Sequence, residues 1–335
     1  MKRVGYRLLI FMLMFSLVLV GCRRKPAGQA EDPGAKVPPE LEKVQVLLDW
    51  TPNTNHTGLY VAKAQGYYEE QGLDVEILQA EGGTAQLIAA GKGDFGVSYQ
   101  EEVTTARAAD IPVRAIAAVI QHNTSGFAAP VEKNIKTAKD FEGKKYGGWG
   151  SPMEEAVIKA LMQKQGADFD KVIMVNIGAA DFFASMKDVD FAWIYWGWTG
   201  IEAEQRGIKL DFIKLVDVDP ALDYYTPVLI ASEKTLEEKS ELVRKFLAAT
   251  SRGYEYAISR PEDAAEIITT AVPELNKDLV LASQKYLAKE YQADAPRWGE
   301  MKESVWQTYS EWMYERGLLE KRIDPKAAFT NEYLP

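Results

Sequence analysis

The chain is short of cysteine, histidine and positive charge. It has one Cys and two His in 335 residues, and 39 basic against 49 acidic side chains. One cysteine forms no internal disulfide, and with two histidines it is a poor ligand set for zinc. A formal charge of −10 supplies no basic face of the kind non-specific nucleic-acid binding requires, so no nucleic acid is expected as a partner. There is also no apolar run of the roughly 20 residues that a membrane-spanning helix needs. What is present, 47% hydrophobic and 26% charged residues, is an ordinary globular composition. The length suits one large domain or two lobes.

The N-terminus has its own pattern. Lys2, Arg3 and Arg7 precede the apolar run Leu8 to Val20, which is short for a span but fits the apolar segment of a secretory signal. The run ends in Leu19-Val20-Gly21-Cys22, which resembles the bacterial lipobox. That resemblance implies a signal peptide of residues 1–21, cleavage before Cys22, and a lipid on Cys22 that holds the protein at a membrane. The competing reading is an uncleaved anchor with an incidental cysteine. Cleavage removes three cations and no anion, which takes the formal charge from −10 to −13 and leaves no other thiol. Residues 22–42, rich in Arg, Lys, Pro, Gly, Glu and Ala without apolar periodicity, read as a tether. The expected location is the outer face of the cytoplasmic membrane.

From residue 43 the pattern alternates. Strand-like runs at 44–48, 74–78, 94–98 and 113–120 are separated by amphipathic stretches at 56–70, 84–90 and 101–109, which argues for βαβ units and a mainly parallel sheet with helices on both faces. The series restarts, with helices at 137–141, 152–164 and 180–186 and strands at 145–147, 172–175, 190–195 and 212–215. A strand at 226–231 crosses back, and nearly everything after it is helical. The expected organisation is a two-lobe α/β protein: 43–130 and 225–335 as one lobe, 131–224 as the other. Crossing segments near 127–131 and 225–230 would hinge a cleft between them.

Two stretches carry a family resemblance. Leu48-Asp49-Trp50-Thr51-Pro52-Asn53-Thr54-Asn55-His56-Thr57-Gly58-Leu59-Tyr60 with Ala62-Lys63-Ala64-Gln65-Gly66-Tyr67-Tyr68, and Gly91-Lys92-Gly93-Asp94-Phe95-Gly96, resemble the periplasmic-binding-protein family that includes thiamine-pyrimidine precursor binders and fungal thiamine pyrimidine synthases. The second stretch is shared with sulfonate and nitrate binders and speaks only for the type II binding-protein fold. The resemblance covers about residues 43–260. It implies a small aminopyrimidine ligand such as N-formyl-4-amino-5-aminomethyl-2-methylpyrimidine, a thiamine breakdown product. It also implies an ABC permease and its ATPase as partners, no cofactor, and a Gram-positive setting. The synthases of the family carry a cysteine-rich stretch where this chain has Trp193-Ile194-Tyr195-Trp196-Gly197, although His56 matches their substrate histidine.

A flat, aminated ring needs aromatic faces for stacking, acceptors for its amine and donors for its ring nitrogens. Within the run Asp190 to Trp198, residues 193–198 hold four large amphipathic rings at a strand's C-terminal end, where open α/β sheets bind ligands. Alternation puts Trp193 and Tyr195 on one side, with Trp196 a further candidate; a buried aromatic core is the alternative. Gly147-Gly148-Trp149-Gly150-Ser151-Pro152 leads into a helix that Ser151 and Glu154 box and Pro152 opens. Its glycines let backbone N–H groups approach a ligand, while capping alone accounts for Ser151 and Glu154. Asp49 either accepts from an amine or caps the next helix, and Trp50 stacks. For His56, capping or packing competes with ligand contact. Tyr60 is a candidate whose favoured alternative is the core. Tyr99 follows the third strand as a ring contact, Glu202 reaches the ligand amine or is a solvated helical acid, and His122 reads as a polar loop residue near the hinge. A sulfonate or nitrate carrier is a third reading; the lack of Arg or Lys near the aromatic run counts against it.

Overall fold

The computed structural model describes residues 40–178 and 180–335. The signal segment, Cys22 and all but the end of the tether lie outside them. Glu42, expected in the tether, opens the first strand.

Among the described residues, ten strands form two five-stranded sheets. The first has β1 (Glu42–Leu48), β2 (Leu73–Gln79), β3 (Phe95–Ser98), β4 (Val113–Ala118) and β10 (Val228–Ser232), in the order β2-β1-β3-β10-β4. The second has β5 (Ser125–Pro130), β6 (Lys145–Gly148), β7 (Ile173–Asn176), β8 (Phe191–Tyr195) and β9 (Leu210–Lys214), in the order β7-β6-β8-β5-β9. The plans are identical. In each sheet the strand second in the order, β1 or β6, pairs in parallel with both neighbours, and the fourth position is filled by a strand antiparallel to both of its neighbours that arrives from the other sheet's stretch of chain. Those strands are β5 and β10. Both are buried at every position, as central strands covered on two faces must be.

Two expected boundaries move. Ser125–Pro130 is a full strand of the second sheet, so the first crossing lies at residues 119–124 and not at 127–131. Its Ser-Gly-Phe-Ala-Ala-Pro sequence hides the strand, because small residues carry little β signal. The C-terminal helices also do not keep to the first lobe. In the helix Glu303–Glu315, Trp306 lies in the first sheet's core while Tyr309, Trp312 and Met313 pack with Phe127, Tyr146 and Phe191 of the second. The stretch expected as one helix at 56–70 breaks at Gly66, whose φ of 72° favours glycine, into Thr57–Ala64 and Tyr67–Glu70. No helix among the described residues is long and apolar enough to cross a membrane.

Candidate functional site

In the order β2-β1-β3 successive strands are added first on one side of β1 and then on the other, so the strand order switches between β1 and β3, and in β7-β6-β8 it switches between β6 and β8. Such switch points, at the C-terminal ends of the strands, leave a crevice for a ligand. Burial is the default for large rings, yet an exposed ring stands at each of the four strand ends: Trp50 after β1, Tyr99 after β3, Trp149 after β6, and Tyr195 ending β8. Charges at these ends sense one another across the sheets. Tyr195 lies in the field of Asp49 and Glu101, Tyr99 in that of Tyr195, and Glu101 in that of Glu154. The two sets of strand ends therefore lie within reach of one another's charges, and the space between them is the candidate cleft.

On the first lobe, the polar turn after β1 is rigid. Asn53 caps the turn Thr54–His56, its Oδ1 accepting from Asn55 N–H at 2.9 Å. His56 is fully buried. Its Nδ1 accepts from Asn53 N–H at 3.2 Å, which leaves Nε2–H to donate to Asp49 Oδ1 at 2.8 Å. Asp49 is thus not the cap. It is a carboxylate oriented by His56 at the cleft edge, with a side chain 18% exposed. The turn is nailed down from behind: Tyr254 and Tyr291 hydroxyls donate to Asn55 and Thr54 carbonyls at 2.7 and 2.6 Å. The long helix Ser240–Ser259 comes close enough for this because it meets Thr57–Ala64 through glycines. A Cβ on Gly253 would lie 2.1 Å from the Gly58 carbonyl oxygen.

On the second lobe, Glu154 organises the glycine loop and does not face the cleft. It is fully buried and accepts from Tyr146 OH at 2.6 Å, Trp149 N–H at 3.1 Å and Ser151 N–H at 2.8 Å. Ser151 accepts from Glu154 N–H, completing the expected capping box, and Pro152 opens the helix Pro152–Lys164. Gly147 and Gly148 are buried, and a Cβ on Gly148 would sit 2.1 Å from Glu154 Oε1. Gly148 makes room for the carboxylate, and Gly147 for Val189 and Ile177. Trp149 and Gly150 project instead, Gly150 at φ 82°. The helix start already holds an anion of its own, so an oxyanion ligand has no place there.

The aromatic run splits. Trp193 lies against Trp149, ring centroids 5.8 Å apart, and its indole N–H has no hydrogen-bond partner. Trp196 packs on Phe212 at 4.7 Å, and Trp198 joins Tyr60, Ile268 and Val280 in a separate apolar cluster. Tyr60 therefore sits under the C-terminal helices, away from the strand ends. Glu202 pairs with Arg206 on its own helix and lines a shallow depression with Asn276 and Asp278. The structure does not bring Tyr60, Glu202 or Trp196 to the four rings.

It brings Glu101 and Glu102, which sequence reasoning did not single out. Both lie in the first turn of the helix Gln100–Ala108, directly after Tyr99. Glu102 is occupied, accepting from Ser98 Oγ at 2.5 Å and Ala85 N–H at 3.2 Å. Glu101 has no hydrogen-bond partner among the described residues. Burial, then the charges of Glu102 and Glu154, push its carboxyl up to about 7. Burial holds the Tyr195 phenol up at about 12. No lysine or arginine is among the charged neighbours of Glu101, Glu102, Tyr99 or Tyr195 within the described residues. In a sequence, Gln100-Glu101-Glu102 at a helix start reads as acids answering the helix dipole. Only the tertiary placement of that turn reveals a carboxyl inside the cleft.

The family model for NMT1/THI5-like proteins matches residues 53–264, most of both lobes. The chain belongs to the NMT1/THI5-like family. Among its relatives, the formylaminopyrimidine-binding protein of Halalkalibacterium halodurans is 29% identical, over 96% of this chain and 98% of that protein. The 4-amino-5-hydroxymethyl-2-methylpyrimidine phosphate synthase of Legionella pneumophila is 26% identical, over 88% of this chain and 92% of that one. The fold is that of type II periplasmic binding proteins. The periplasmic aliphatic sulphonate binding protein SsuA from Escherichia coli superposes with a TM-score of 0.66 at 16% identity, covering 85% of this chain and 91% of that one.

Proposed function

We propose that this family member is the extracytoplasmic solute-binding component of an ABC importer, and that it captures a thiamine pyrimidine precursor, N-formyl-4-amino-5-aminomethyl-2-methylpyrimidine, for salvage. The observation that carries the reading is the cleft. Four exposed rings stand at the strand ends beside carboxylates, and the charges that act on Glu101 and Tyr195 are those of carboxylates, not of cations. Such a lining suits an uncharged or weakly basic ring with an exocyclic amine. It opposes a sulfonate or nitrate, whose charge would be buried unpaired. The near-full-length relative that binds a formylaminopyrimidine supports the ligand class.

The geometry also assigns roles. Trp50 and Trp149 offer faces for stacking, each worth on the order of 1 kcal/mol beyond area burial. Asp49, aimed by His56, accepts from an amine. Tyr195 and the loop at Trp149 close the opposite wall. Rotation of the lobes about the two crossings, residues 119–124 and the segment 219–227 that leads from the helix Leu215–Val218 to β10, would bury the ring and present a closed surface to a permease and its ATPase. Lipid on Cys22 would keep that surface at the membrane.

The enzyme reading, a pyrimidine synthase, rests on relatives such as the Legionella protein. The state of His56 counts against it: the ring is fully buried and both nitrogens are engaged, so it serves as a strut for Asp49. Tryptophan fluorescence titrated with the formylaminopyrimidine, thiamine, an alkanesulfonate and nitrate tests the proposal. A saturable change with the pyrimidine alone is the expected result. A response to the sulfonate and none to any pyrimidine would move the protein to another ligand class. Product formed on incubation with pyridoxal phosphate and iron would revive the enzyme.

A further inference from the structure

We propose that Glu101 is the specificity-determining residue of the cleft, and that it reads the edge of the ring on which an exocyclic amine adjoins a ring nitrogen. The inference rests on the binding reading above and deepens it. An aminopyrimidine presents on that edge one donor, the amine, and one acceptor, the nitrogen beside it. A carboxyl group that holds one proton is its complement, with the carbonyl oxygen accepting from the amine and the O–H donating to the nitrogen. An ionised carboxylate offers only acceptors and leaves the ring nitrogen unanswered.

Among the acids of this cleft, Glu101 alone is free for the task. Asp49 takes the His56 N–H, Glu102 takes Ser98 and Ala85, and Glu154 takes three donors of its own loop. Glu101, in the first helical turn after Tyr99, has no hydrogen-bond partner among the described residues. Glu102 lies beside it on the same helix, the charge of Glu154 reaches it from within the second lobe's glycine loop, and Tyr195, Tyr224 and Tyr309 feel its charge. None of these neighbours is a cation, and burial holds all three phenols above their ordinary range, so they stay protonated. Burial and two neighbouring carboxylates together favour the protonated acid.

The pairing has a signature that simple packing lacks. The complex carries one proton shared between Glu101 and the ring nitrogen, so affinity falls as pH rises above the range in which free Glu101 holds it. A glutamine at this position presents the same acceptor and donor without a titrating proton. The test is calorimetric titration of the full chain with N-formyl-4-amino-5-aminomethyl-2-methylpyrimidine at pH 6.5, 7.5 and 8.5, for wild type, Glu101→Gln and Glu101→Leu, with thermal melting of each. The expected result has three parts. Wild type loses more than about tenfold in affinity from pH 6.5 to 8.5, as a carboxyl titrating near neutrality dictates. Glu101→Gln binds at pH 6.5 within about tenfold of wild type with a flat profile, and Glu101→Leu melts normally but binds at least about tenfold more weakly. Glu101→Leu binding like wild type, or Glu101→Gln keeping the wild-type slope, would overturn the inference while leaving the binding protein intact. Wild type failing to bind the pyrimidine at any pH would remove the parent reading and the inference together.

Discussion

At the scale of single residues, the cleft is recognisable because it breaks the burial rule four times in equivalent places. Trp50, Tyr99, Trp149 and Tyr195 sit at ends of strands whose preceding side chains are largely buried, and each exposes between 38 and 57% of its surface. Rings with this much exposed face lose only part of a packed contact when removed, although the Tyr195 hydroxyl end lies deeper than its ring face. Tyr195→Ala and Trp149→Ala should each weaken pyrimidine binding by more than about tenfold. Each should leave the melting temperature nearly unchanged, because little packing is lost; a large drop in melting temperature with unaltered affinity would return these rings to the core. All four were candidates in the sequence: Trp50, Tyr99 and Tyr195 because they close apolar strand runs, and Trp149 because it stands in a glycine loop before a capped helix. Glu101 was not, since a helix-start glutamate looks the same whether it meets water or a cleft. Tyr60 and Glu202 show the converse: nearness in sequence to Asp49 or Tyr195 did not bring them to the strand ends.

At the scale of elements, the site is held by close helix contacts behind it. The Asn53–His56 turn keeps its place because Ser240–Ser259 reaches it through Gly253, and no other side chain fits there. Gly253→Ala should destabilise the protein by about 1–3 kcal/mol through overpacking against the Gly58 carbonyl. It should also weaken ligand binding at a distance from the cleft by displacing Tyr254 and with it Asn55 and Asp49. Chemical denaturation and a binding titration of the variant read both effects, and wild-type values in both would show that the turn stands without this contact. The helical and parallel-strand units were readable from period alone. Strand β5 was not, for its burial comes from two neighbouring strands that local pattern does not announce.

At the scale of the whole molecule, the hinge has its own clasp. His122 in the first crossing hydrogen-bonds Asp223 in the second at 2.7 Å and Asp294 of the C-terminal region at 3.0 Å. The Asp223 hydrogen bond is the main reason its imidazole is held up at about 9, with Asp294 adding to it. A histidine whose folded value is raised stabilises the fold fully below about pH 6.5, its unfolded value, and that contribution is lost as pH rises through about 9. The melting temperature should therefore decline between these limits, and His122→Gln should be less stable at pH 6.5 with a shallower decline. Parallel declines in the two proteins would place the sensitivity elsewhere. The two-lobe plan was legible from the restart of the βαβ pattern. The C-terminal helix that joins both cores was not, since amphipathicity shows that a face is buried and not against what.

The central claim is that this cleft holds an amine-bearing pyrimidine and rejects oxyanions. Titration calorimetry of the protein with N-formyl-4-amino-5-aminomethyl-2-methylpyrimidine and with an alkanesulfonate, at pH 6.5, tests it most directly. The account predicts one-to-one binding of the pyrimidine with Kd below about 1 μM, consistent with a few hydrogen bonds and two stacked rings, and no heat from the sulfonate. Saturable sulfonate binding with a silent pyrimidine would contradict it.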